Sequence, residues 1–83
     1  MIKVLFFARL REQLGTAELE LPWSVEIDSV RGLQQYLATY RDNWGEFLGA
    51  ENIVCAVNQQ QADAEQAIAD GDELAFFPPV TGG

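Results

Sequence analysis

Residues 70–83 read Asp70-Gly71-Asp72-Glu73-Leu74-Ala75-Phe76-Phe77-Pro78-Pro79-Val80-Thr81-Gly82-Gly83, and this stretch decides the architecture. Asp-Gly-Asp is a turn signal, because glycine reaches positive φ and aspartate bonds its own backbone there. The apolar run Leu74 to Phe77 then predicts a strand, and two prolines, which cannot donate to a ladder, stop it. Working back, Ile53-Val54-Cys55-Ala56-Val57 is apolar without interruption, as expected of a strand covered on both faces. Between these strands, residues 58–66 are polar and weakly patterned, with room for one further short strand. Val30, Leu33, Leu37, Tyr40 and Trp44 fall on one helical stripe, predicting a helix from a cap at Asp28 or Ser29 to about Asn43, with a connection over 45–52. Gly32 in its interior costs about 1 kcal/mol relative to alanine. At the other end, residues 2–8 (Ile-Lys-Val-Leu-Phe-Phe-Ala) predict a β-branched and aromatic strand, and residues 9–16 a loop. Residues 17–21 alternate and close a hairpin ending at Pro22. The order β-β-α-β-(β)-β, with one main helix across a mixed sheet of four to five strands, is an α+β β-grasp arrangement in which the first and last strands pair in the middle.

One helix covers one face of a sheet and leaves the other bare. Period-two alternation turns Ile2, Val4, Phe6, Leu74 and Phe76 toward the helix. Leu5, Phe7, Ala75 and Phe77 then turn away, and Phe7 and Phe77 meet on adjacent strands as an exposed aromatic patch suited to a protein partner. Arg9, extrapolated along the same strand, belongs to its polar rim.

The chain's 83 residues, 48% of them hydrophobic and 22% charged, make one globular domain over 1–83 with a modest core. Area scaling for a chain of this size gives about 4,900 Å² exposed, against about 13,300 Å² unfolded. Five basic residues against thirteen acidic ones give a formal charge of -8. That balance excludes nucleic acid and anionic membrane as partners, since both require clustered Lys or Arg, and it favours a basic protein surface. Histidine is absent and cysteine occurs once, so the usual general base, an intrachain disulfide and a thiolate metal cage are all missing. No metal site is expected. The apolar runs are too short to span a bilayer, no small-residue cleavage site follows the first strand, and a reduced, cytoplasmic setting is expected. Cys55, inside the most apolar strand, reads as an inert core thiol. Asp70, Asp72 and Glu73 read as a solvated turn, too few ligands for calcium. Asp42, Glu46, Glu51, Asp63 and Glu65 read as surface charge.

The remaining chemistry lies in residues 79–83, a flexible tail of Pro79, Val80, Thr81, Gly82 and Gly83. Two terminal glycines arise by chance in about one chain in two hundred at average usage. Here they follow a proline-stiffened strand exit, and the last four residues reach about 13 to 14 Å. Without Cβ atoms, Gly82 and Gly83 pass through a channel too narrow for other residues. The Gly83 carboxylate is then the one unhindered reactive group. A carboxylate is a poor electrophile until activated, most simply as an acyl adenylate made by a separate ATP-dependent enzyme. No phosphate-binding Gly-x-x-x-x-Gly-Lys-[Ser/Thr] occurs, and Lys3 is the only lysine.

The stretches Lys3-Val4-Leu5-Phe6-Phe7-Ala8, Arg11-Glu12, Gly15, Ala56-Val57-Asn58-Gln59 and above all residues 70–83 resemble the small subunit of molybdopterin synthase, the MoaD family of ubiquitin-like sulfur carriers. The likeness spans nearly the whole chain. It implies that Gly83 is adenylated by an E1-like activating enzyme using ATP, converted to a thiocarboxylate by a sulfur donor protein, and inserted into the large synthase subunit. There the sulfur passes to cyclic pyranopterin monophosphate to build the molybdopterin dithiolene. It further implies a heterotetramer of two small and two large subunits, no cofactor bound by this chain alone, and catalytic side chains in the partner. The family's docking residues carry over onto Phe7 and Phe77. One departure is the polar segment 60–66, where the family places a short strand with a large apolar residue near Gln61. A thiamine or cysteine pathway carrier and a ubiquitin-like protein modifier are the alternatives. The charge of -8 implies basic docking surfaces on the partners and complexes weakened by salt.

Overall fold

The computed structural model describes residues 1–49 and 53–78. Strand β1 (Ile2–Phe6) pairs antiparallel with β2 (Glu18–Leu21), Ile2 opposite Leu21 and Leu5 opposite Glu18. Its other edge takes β5 (Glu73–Phe77) in parallel, Lys3 beside Glu73 and Phe6 beside Phe76. Strand β3 (Val54–Val57) runs antiparallel to β5 and forms a hairpin with β4 (Gln60–Ala62), so the sheet order is β2-β1-β5-β3-β4. The first and last strands are thus central, as the sequence predicts, and the optional fifth strand is present despite its polar composition. Helix α2 (Val30–Ala38) packs on one face, opened by the Ser29 hydroxyl, which accepts from the Gly32 amide at 3.1 Å. The layout is the β-grasp fold.

The strand expected over 2–8 ends at Phe6, and most of the segment 9–16, expected to be a loop, is helix α1 (Ala8–Leu14). Leu10 and Leu14, one turn apart, are both buried, and Gly15 closes the helix at φ 65. Seven residues are too few for an independent helix, and it is this buried pair that holds it. The main helix is also shorter than its stripe suggests. Thr39 ends α2, Asn43 swings to φ 73, and Trp44–Leu48 form a separate helix α3 inside the expected connection. Trp44 is buried edge-on against Phe6, with centroids 5.5 Å apart, whereas Tyr40 remains exposed and leans on Trp44. A straight helix would have carried Trp44 along the stripe of α2; the break aims it into the sheet.

Val30, Leu33 and Leu37 of α2 join Ile2, Val4 and Phe6 of β1 and Leu74 and Phe76 of β5 in one core. Strand β3 is covered less than its composition suggests. Cys55 and Val57 are buried, but Val54 and Ala56 are half-buried on the opposite face. Gly32 has a packing reason. A Cβ there would stand 2.7 Å from the Glu26 carbonyl oxygen, on the short 3₁₀ turn Val25–Ile27 that leads into the helix. Gly32→Ala should therefore lose about 1–3 kcal/mol in urea unfolding, instead of recovering the ~1 kcal/mol of helix propensity. A stabilised variant would show that the Glu26 turn yields freely.

Candidate functional site

The sheet face turned away from α2 is built by register. Across its middle lie Glu18 of β2, Leu5 of β1, Ala75 of β5, Ala56 of β3 and Gln61 of β4, each opposite the next. One step toward the start of β1 runs the charged row Glu20, Lys3 and Glu73. One step toward its end, Phe77 pairs with Val54, and Phe7 follows the last residue of β1. The face therefore grades from charged, through small and apolar, to aromatic, and the aromatic end leads into Pro78. Phe7 and Phe77 stack with centroids 5.0 Å apart and planes inclined by 9°, and Phe7 is 39% exposed. The Phe7 amide donates to the Phe76 carbonyl at 3.2 Å, holding the two strand ends side by side. An open recess of about 400 Å³ lies between Leu5, Phe7, Ala75 and Phe77, with Glu73 and Gln59 at its wall. A face of this composition can take an apolar patch of another protein, because burying two rings and their apolar neighbours removes apolar area from water.

Sequence reasoning places Phe7, Ala75 and Phe77 on this face, and there they lie. Arg9 does not continue it. The chain leaves the strand at Phe7 and Arg9 is an exposed residue in the first turn of α1, so strand alternation no longer governs it. Gln61, opposite Ala56 on this face, is polar and exposed. The tail residues Pro79, Val80, Thr81, Gly82 and Gly83 lie outside the described residues.

The three carboxylates read as one solvated turn have separate tasks. Asp70 holds the N-terminal amine. Asp72 accepts from the Asn58 side-chain amide at 3.0 Å and the Ala69 amide at 2.9 Å, while the Asn58 side-chain Oδ1 accepts from the Glu73 amide at 3.0 Å. This clamp ties the β3–β4 hairpin to the start of β5. Glu73 itself is half-buried beside the recess. The signal for it was the strand period, which puts Glu73 on the same face as Ala75 and Phe77.

Burial raises the Cys55 thiol from 9.0 to about 12. The folded thiol keeps its proton where an unfolded one has lost it, so Cys55 contributes stability that declines as pH rises from about 9 toward 12. At pH 8 native protein should resist alkylation that proceeds readily in urea. Rapid native labelling, followed by mass spectrometry, would overturn the inert reading. Among the described residues no cluster suits a metal ion, and no helix is long and apolar enough to cross a membrane.

Residues 4–83 match the ThiS family model. The molybdopterin synthase sulfur carrier subunit of Escherichia coli strain K12 is 45% identical over 83 residues, covering all of both chains. The chain belongs to the ThiS family, among the molybdopterin synthase sulfur carrier subunits. Solved structures agree on the fold. A putative molybdopterin converting factor subunit 1 from Pyrococcus furiosus superposes with a TM-score of 0.74 at 29% identity, covering 95% of this chain and 97% of that one. The small archaeal modifier protein 1 of H. volcanii gives 0.67 at 25%, covering 95% and 97%. Within this ThiS-family chain, the stacked Phe7–Phe77 pair stands at the end of the strand that leads to the Gly-Gly sequence, so an apolar face and the tail share one origin.

Proposed function

We propose that this chain is the sulfur-carrying subunit of a cytoplasmic molybdopterin synthase, with the Gly83 carboxylate as the group that carries sulfur. Activation takes place on a separate E1-like enzyme. There the carboxylate attacks the α-phosphorus of ATP and displaces pyrophosphate, and hydrosulfide released by the sulfur donor then attacks the acyl carbon and expels AMP, leaving a thiocarboxylate. The large subunit receives the tail, supplies the catalytic side chains and accepts the sulfur onto cyclic pyranopterin monophosphate, in an assembly of two small and two large subunits. The observation that carries this reading is the full-length likeness to the Escherichia coli carrier subunit, joined to the aromatic face on β5 that leads into Gly82-Gly83. Phe7, Ala75 and Phe77 form the docking surface. The chain's own chemistry ends at its carboxylate, which is consistent with a sequence without histidine and with a cysteine buried in the core.

The intact mass of protein from its own host tests this. A species heavier by the difference between sulfur and oxygen, consumed on incubation with large subunit and precursor, is the expected result. Unmodified carboxylate alone, after supply of activating enzyme, ATP and sulfur donor, would count decisively against it. The likeness to an archaeal modifier protein keeps a second reading in view: Gly83 joined to lysines of target proteins. Isopeptide-linked adducts of this chain in a host digest would favour that reading.

A further inference from the structure

The geometry points to a partner arginine docking beside Glu73, in the recess between the aromatic pair and the charged row; this rests on the docking face proposed above. Glu73 is half-buried at the wall of that recess, and within the described residues its carboxylate has no ion-pair or hydrogen-bond partner. Lys3, its neighbour in register, is instead 3.7 Å from Glu18 on the other side. The main chain of Glu73 is fully engaged, its amide on the Asn58 side chain and its carbonyl accepting the Asn58 amide at 2.7 Å. The carboxylate is therefore held in place by its backbone and left free at its head. A half-buried carboxylate beside apolar walls is costly to cover without a counter-charge, so any partner that closes this face must bring one.

Gln59 supplies an independent sign. It forms, with Asn58, the two-residue loop between β3 and β4, and both residues have positive φ, 50 and 71. This is the type I′ pattern, in which glycine is the favoured second residue. The chain instead keeps a side chain at a backbone conformation that disfavours one, and that side chain lines the recess with Glu73. A carboxylate and an amide oxygen on one side, with stacked phenyl rings on the other, match a guanidinium: planar, with several donors and an affinity for aromatic faces. The negative balance of the chain agrees with a cationic group arriving from the partner.

Two variants test this with the whole chain and the large synthase subunit of the same organism, by calorimetric titration at low and high salt. Glu73→Gln preserves shape and backbone bonds, so it should keep its unfolding midpoint while binding weakens on the order of 30-fold and becomes less sensitive to salt. Gln59→Gly should raise the thermal midpoint by relieving the positive-φ strain, yet bind about 3- to 10-fold less tightly through loss of one hydrogen bond. A more stable chain that binds worse cannot be explained by misfolding. Wild-type affinity and salt dependence in both variants would overturn the arginine site and leave the docking face standing. A wild-type chain that does not bind the large subunit would overturn the proposed function, and this inference with it.

Discussion

A chain lacking Gly82 and Gly83 should fold, bind the large subunit and transfer no sulfur. The deletion lies beyond β5, whose Leu74 and Phe76 are wholly buried and remain in place, so the unfolding free energy from urea titration should stay within about 0.5 kcal/mol of wild type. The docking face is also intact, and affinity should fall only by whatever the lost tail contacts contribute. Chemistry is different, because in the proposed reaction the last carboxylate is the reacting group. Removing Gly83 alone is the sharper version. It leaves a carboxylate, but one set back by about 3.5 Å, and displacements of about 1 Å in a reacting group already cost ~100-fold. Sulfur transfer in a reconstituted synthase should therefore fall by at least that factor for either deletion. Retained transfer by the shortened chain would remove Gly83 from the mechanism.

Phe76→Ala and Phe77→Ala, one residue apart, should fail in opposite ways. Phe76 is wholly buried, 6.1 Å from Phe6 across the β1–β5 pair. Truncating it should cost about 3–5 kcal/mol. Domains hold only ~5–15 kcal/mol in total, with small ones at the low end, so Phe76→Ala should be largely unfolded at growth temperature. Phe77 is half-buried on the opposite face and stacks on Phe7. Its truncation should cost about 0.5–1.5 kcal/mol of folding, but an anchor at the centre of an interface contributes ~2 kcal/mol or more, so partner affinity should fall about 30-fold. Circular dichroism melts beside titrations with the large subunit separate the two effects. If Phe77→Ala bound as tightly as wild type, the aromatic face would not be the docking surface.

The pairing of these two residues shows where sequence reading was strong. Strand period alone assigns Phe76 inward and Phe77 outward, because successive side chains on a strand point to opposite faces whatever surrounds them. The same period held for Leu5, Phe7 and Ala75, and an apolar run closed by two prolines marked β5. Periodicity loses its meaning where the backbone leaves a regular element. Strand alternation does not reach Arg9, because the chain has already turned into α1, where Leu10, Leu14 and Gly15 spell a two-turn helix with its stop. Trp44 was placed on the α2 stripe, since a break at Asn43 has no strong local signature; asparagine tolerates positive φ but does not require it. Gly32 read as a defect for a related reason. The Glu26 carbonyl that forbids a side chain there comes from a different element.

Glu73 and Gln59 mark the remaining boundary. Both are polar residues near turns, and composition alone makes them solvated surface. Only the parallel pairing of β5 with β1, and the hairpin that returns beside it, place the Glu73 carboxylate and the Gln59 side chain on the wall of one recess. Local periodicity and turn chemistry thus specified the strands, their inward and outward faces and the Gly-Gly tail, because these depend on neighbours a few residues away. The recess depends on residues distant in sequence that only strand pairing brings together, and the close carbonyl over Gly32 and the break between α2 and α3 depend on backbone paths that no residue period announces.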